Sequence, residues 1–174
     1  MKLIQAMKKI KDLQIKASDL RDKVKRYCAN LDCETEVYPD QKKQVQEWIQ
    51  SHSDILKEVL KLRTSIQKTN IQTNVTMEID GKQVTKSIAE WIHRKRDLAK
   101  YEQDMWSMLT DRNLKEGRIS ESSGQVKDVK IRRYYDPAER DKKMELYRSE
   151  PSVVDSTLEV VNAVTDLIEV NQNE

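Results

Sequence analysis

From Leu3 onward, apolar residues recur at two interleaved spacings. Leu3, Ile10, Ala17, Val24 and Leu31 lie seven apart, and Ala6, Leu13, Leu20 and Tyr27 fall three after the first four. This is the a/d seam of a helix packed along its length against another helix. Lys9, Lys16 and Lys23 form a column beside it, a solvated flank whose stems cover apolar surface. Pro39 and Asp40 interrupt the pattern, which resumes with Val45, His52, Val59 and Ile66 alternating with Trp48, Ile55, Leu62 and Thr69. Ile49 and Leu56 widen this second stripe. The stretch between the two segments is short, so the pair is expected to fold back as an antiparallel helical hairpin.

At residue 74 the period changes from helical to alternating. Val75, Met77 and Ile79 alternate with Thr76 and Glu78, Asp80-Gly81 is a type I′ turn pair, and Gln83-Val84-Thr85 returns as a second strand. Thr85 or Ser87 then caps a third helix expected to reach Lys115, with Ser87 and Glu90 at capping-box spacing. Its apolar face reads Ile88, Trp91, Ile92, Leu98, Ala99, Met105, Trp106 and Leu109. Glu116-Gly117 and the cluster Ser120 to Gly124 end it in a flexible loop. A basic strand follows over 126–135, and Asp136-Pro137-Ala138-Glu139 starts the last helix. There Met144, Tyr147, Pro151, Val154, Leu158, Val161, Thr165 and Ile168 keep one 3-4 spacing through a proline, the mark of one kinked helix rather than two.

These elements predict a mostly helical α+β chain. The expected form is a single elongated domain over 1–174 with a β-hairpin insertion at 74–85. Its long antiparallel helices would make a four-helix bundle or a coiled-coil-like array. A two-stranded hairpin alone is marginal in water. Residues 116 to 128, if nearly extended, span the roughly 40 Å that the third helix puts between its two ends. The spacing therefore predicts a small three-stranded antiparallel sheet, hairpin 75–84 plus strand 126–135, completed by the same subunit or by a neighbour. Such a sheet is a docking element, with Val75, Met77, Ile79, Lys130, Arg132, Arg133 and Tyr134 as its partner-binding residues.

Composition narrows the function classes. Charged residues are 36% of the 174, against roughly 25% in an average globular protein, with 3 Gly, 3 Pro and no Phe, as expected of long solvated helices. Thirty-two Lys and Arg balance 30 Asp and Glu, so no global field attracts a polyanion. No signal peptide and no apolar run of about 20 residues is present, which predicts a cytoplasmic chain with no membrane partner. Cys28 and Cys33 stand in a C-x4-C spacing, which is neither a redox pair nor a zinc site by itself, and His52 occupies a seam position where packing is the ordinary role. No metal or cofactor is expected.

The order of elements resembles a small family of bacterial and phage-encoded helical proteins termed septicolysin-like. The matching stretches are RTSIQKTNIQTN at 63–74, TKSIAE at 85–90, RKRDL at 94–98 and VDSTLEVVNAVTDL at 154–167, and they span most of the chain. Ala163 stands where relatives often carry an aromatic residue. The resemblance implies no catalytic residues; for a phage-encoded chain it implies a virion or assembly component.

An enzyme is not expected. There is no phosphate loop, H-E-x-x-H or nucleophile elbow, and no His stands beside a plausible nucleophile. The favoured function is a non-enzymatic homo-oligomeric scaffold, with a protein partner at the sheet edge. Nucleic-acid binding through the basic strand 127–135, where Lys127, Lys130, Arg132 and Arg133 run into Tyr134 and Tyr135, ranks second. Charges on an edge strand also serve simply to prevent aggregation. A membrane-active cytolysin ranks last, because the strands are short and polar on one face.

Overall fold

The computed structural model describes residues 1–120 and 124–170. Three residues of the expected 120–124 loop lie outside that range. The chain is α+β and mostly helical, and it divides into two compact units interleaved in sequence.

The first unit comprises Met1–Val75, Ser87–Ala89 and Leu158–Glu174. Helices α1 (Leu3–Tyr27) and α2 (Gln41–Gln72) form the antiparallel hairpin that the heptads predict. Leu3, Ala6, Leu13 and Ala17 of α1 are buried, as are Trp48, Val59, Leu62 and Thr69 of α2. The residues expected to widen the α2 stripe, Ile49 and Leu56, are instead exposed, because a two-helix pair buries only the seam it closes. Asp40 caps α2 by accepting from the Lys43 amide at 2.9 Å. At this end Tyr27, Tyr38 and Trp48 pack as a triangle with centroids 5.3 to 5.8 Å apart. The buried Gln41 side chain latches the loop: its Nε2 donates to the Tyr27 carbonyl at 3.1 Å, and its Oε1 accepts from the Val37 amide at 3.0 Å.

At the other end the chain after α5 runs back along the hairpin in extended form. Leu3 N donates to Thr165 O at 3.0 Å and Leu167 N to Met1 O at 2.8 Å, around an antiparallel bridge between Lys2 and Asp166. Two buried hydroxyls of α2 accept the next free amides, Thr69 Oγ1 from Ile168 at 2.8 Å and Ser65 Oγ from Val170 at 3.1 Å. Small hydroxyl residues at i and i+4 on the inward face thus do what a sheet neighbour would do for these amides.

The second unit comprises Thr76–Lys86 and Glu90–Thr157. Strands β1 (Asn74–Ile79) and β2 (Lys82–Ser87) form the expected hairpin. Asp80 and Gly81 take φ of 52° and 71°, the two positive values that a type I′ turn requires. Thr76 and Thr85 hydroxyls meet at 2.7 Å on its exposed face. The third helix is α3 (Ile88–His93), a π-helical segment (Arg94–Leu98) and α4 (Ala99–Ser107) in unbroken succession. It stops well short of Lys115: Arg112 and Asn113 adopt left-handed φ of 53° and 59°, which a continuing helix excludes.

That early stop overturns the three-stranded sheet. The residues freed from the helix supply β3 (Gly117–Ser120), which pairs antiparallel with β4 (Val126–Val129) in the register Gly117↔Val129 to Ser120↔Val126. Among the described residues the sheets are therefore two, of two strands each, and β4 does not join the β1–β2 hairpin. Closing a short local loop costs less chain entropy than bringing in a distant edge. Helix α5 (Pro137–Val164) carries Pro151 inside one helix, as the unbroken spacing predicts, and Asp136 caps it by accepting from Ala138 N at 2.9 Å. Glu150, Val154 and Leu158 are buried and Met144, Tyr147 and Pro151 half-buried, so the inward face holds its phase through the proline.

Candidate interaction surfaces

The residues that the sequence nominates for docking fall into three situations. Met77 is 3% exposed and points inward, while Val75 and Ile79 on the same strand face are half-buried. The hairpin face is thus already occupied by its own fold. Lys130, Arg132 and Tyr134 are exposed, but β4 ends at Val129, so they lie on an irregular strap rather than a sheet edge.

Contacts sort the side chains of this strap: Ile131 and Tyr135 are half-buried, while Lys130, Arg132 and Tyr134 are exposed. Arg133 grips Asp111 with both arms, Nε to Oδ1 at 2.8 Å and Nη2 to Oδ2 at 2.6 Å, and the Tyr135 hydroxyl donates to Asp111 Oδ1 at 3.0 Å. Arg140 lies 5.7 Å over the Tyr135 ring and donates to the Leu109 carbonyl at 3.0 Å. Two of the five basic and aromatic residues of the strap, Arg133 and Tyr135, therefore tie it to the turn after α4.

The Arg133 guanidinium holds the Asp111 carboxyl below the usual carboxylate range, against partial desolvation, and the Tyr135 hydroxyl adds to the effect. A carboxyl depressed on folding contributes stability above its unfolded value of about 4. That contribution is lost as pH falls through the depressed folded value. Asp111→Asn is accordingly expected to lower Tm at neutral pH and to match the wild type in strong acid. Thermal melts across the acid range check this, and a gap that persists unchanged at low pH would contradict it.

The π segment creates a surface that heptad reading misses. The Ala99 amide bonds the Arg94 carbonyl, five residues back, so the helix admits one extra residue and everything after it rotates relative to α3. The widened turn is held from α5. Arg94 donates to the Glu150 carboxylate through Nε at 2.6 Å and Nη2 at 2.5 Å and lies over the Tyr147 ring, while Lys95 pairs with Asp155. The bond to Glu150 raises the Arg94 pKa, and burial pushes the Tyr147 phenol up.

After the rotation, Ala99 is buried and Trp106 half-buried, while Leu98, Tyr101, Met105 and Met108 turn to solvent, 43% to 72% exposed. The sequence pattern alone places Leu98 and Met105 on the inward face. The signal that separates them is their own spacing of 3, 4 and 3, which includes Tyr101 and Met108 and omits Ala99. Carboxylates rim this stripe: Asp104 stands three after Tyr101 and four before Met108, and Glu102 four after Leu98 and three before Met105.

A second exposed stripe runs along α2 through Ile49, Leu56 and Leu60. Its rim is basic, with Lys57 and Arg63 three residues to either side of Leu60 and Lys61 adjacent. Lys57, Leu60, Lys61, Thr64 and Val170 line an open groove of about 240 Å³. Of the nearby acids, Glu58 lies on the far side of the helix from Leu60 and pairs with Lys9, and Asp54 is roughly a third of a turn round and is engaged by Gln50 and Lys57.

A larger recess of about 450 Å³ opens at the α1–α2 loop, lined by Tyr27, Cys28, Leu31, Glu34, Gln41 and Val45 among others. Cys28 and Cys33 are both exposed free thiols. Among the described residues no group of three or more His, Cys, Asp or Glu side chains is placed to hold a metal ion, and no helix is long and apolar enough to cross a membrane. Comparison with protein-family models, with curated proteins and with solved structures finds no match for this chain.

Proposed function

We propose that the chain is a non-enzymatic structural protein that acts by self-assembly, its helices associating between copies into a coiled-coil-like array. The observation that carries this reading is the outward stripe Leu98, Tyr101, Met105 and Met108. It is a continuous apolar helix face with an aromatic and two flexible thioethers, the side chains enriched where proteins meet. The docking role moves with it, from the sheet edge to the helix faces. The nucleic-acid alternative is weakened because Arg133, one of its four cations, is neutralised by Asp111. Light scattering of the purified wild type tests the proposal. The expected result is a mass above one chain that rises with concentration, and the mass of a single chain throughout would remove it.

A further inference from the structure

We infer that the occupant of both exposed stripes is a second copy of this chain, bound heterologously, with the α4 stripe of one copy seated on the α2 stripe of another. The inference rests on the self-assembly reading and specifies its interface.

Charge decides the pairing. Two α4 stripes laid together bring Asp104 and Glu102, the latter 4.0 Å from Arg94, against the same carboxylates, and two α2 stripes bring Lys61 and Arg63, beside a Lys57 already on Asp54, against the same cations. Both like-with-like arrangements are repulsive at the rim. The cross arrangement sets an acidic rim against a basic one around two apolar cores. Length agrees: Leu98 to Met108 and Ile49 to Leu60 each rise roughly 15 Å along their helices. Shape agrees as well. The groove beside Leu60 is lined by Leu60 and Val170 together with two lysines, which suits an unbranched methionine such as Met105 flanked by carboxylates. A contact between two different patches closes into a pair or ring when the rotation allows, and otherwise propagates.

The test uses the full chain in two charge-reversed forms, Lys57→Glu/Lys61→Glu and Glu102→Lys/Asp104→Lys. All four side chains are exposed, but Glu102 lies 4.0 Å from the Arg94 guanidinium and Lys57 3.1 Å from Asp54, so the neutral forms Glu102→Gln and Lys57→Gln are measured alongside, and circular dichroism matching the wild type in every form separates the interface from the fold. Each form alone is expected to self-associate roughly tenfold more weakly in sedimentation velocity. An equimolar mixture should recover association, since the acidic α2 rim of the first form meets the basic α4 rim of the second. Forms that associate like the wild type, or a mixture no stronger than its parts, would overturn the heterologous interface and leave self-assembly standing. A wild type that is a single chain at every concentration would overturn both.

Discussion

Replacing Arg94 by methionine is expected to destabilise the second unit by about 3–5 kcal/mol, the usual cost of breaking a buried ion pair from one side. Glu150 keeps only 2% of its side chain exposed, and both of its oxygens are taken by Arg94. Removing the guanidinium strands a carboxylate where water does not reach it. The reverse design separates this cause from simple loss of packing. Arg94→Met combined with Glu150→Leu removes both charges and leaves two apolar side chains of similar volume, so most of the loss should return. Urea unfolding followed by circular dichroism measures both. If the single substitution costs less than about 1 kcal/mol, in the range of solvated pairs, the pair does not hold the π segment.

Met77→Lys should be nearly as damaging, at about 2–5 kcal/mol, by analogy with other losses at fully packed sites. Met77 is 3% exposed, and an ammonium group placed there would lose its water. Ile79→Lys, two residues along the same strand face but half-buried, should cost about 1 kcal/mol, because its long stem reaches solvent. The contrast distinguishes an inward hairpin face from a docking face. On a docking face both lysines would spare the monomer and act only on assembly.

These two sites show where sequence reasoning reached and where it stopped. The helical hairpin was legible because a seven-residue repeat over α1 and α2 has no other economical meaning, and Asp80-Gly81 was legible because few residue pairs accept two positive φ values. Pro151 was placed inside a helix by phase alone, since Tyr147 and Val154 share a face on either side of it. The π segment was hidden. A single added residue leaves the local composition unchanged, so a search at the ordinary helical period merges the inward Ala99 with the outward Met105. The end of α4 was hidden too, because Asp111 looks like one more helix-surface acid until Arg133 and Tyr135 arrive from the strap. With the helix end misplaced, the partner of β4 was misplaced as well. The amides of Ile168 and Val170 found hydroxyls of Thr69 and Ser65, about a hundred residues away, a pairing that no local pattern announces.

The inward and outward faces of the third helix are set by the same π turn, so under the proposed self-assembly packing and association would be coupled. Arg94 holds the turn, and the turn presents Met105. A substitution that unwinds the π segment should therefore weaken association even though Arg94 is no part of the exposed stripe.

Sedimentation equilibrium of the wild-type chain, over a range of concentration and of salt, addresses self-assembly most directly. A mass above the 20.5 kDa of one chain is expected, rising with concentration and falling as salt screens the acidic and basic rims. A mass of 20.5 kDa at every concentration and every salt would contradict it.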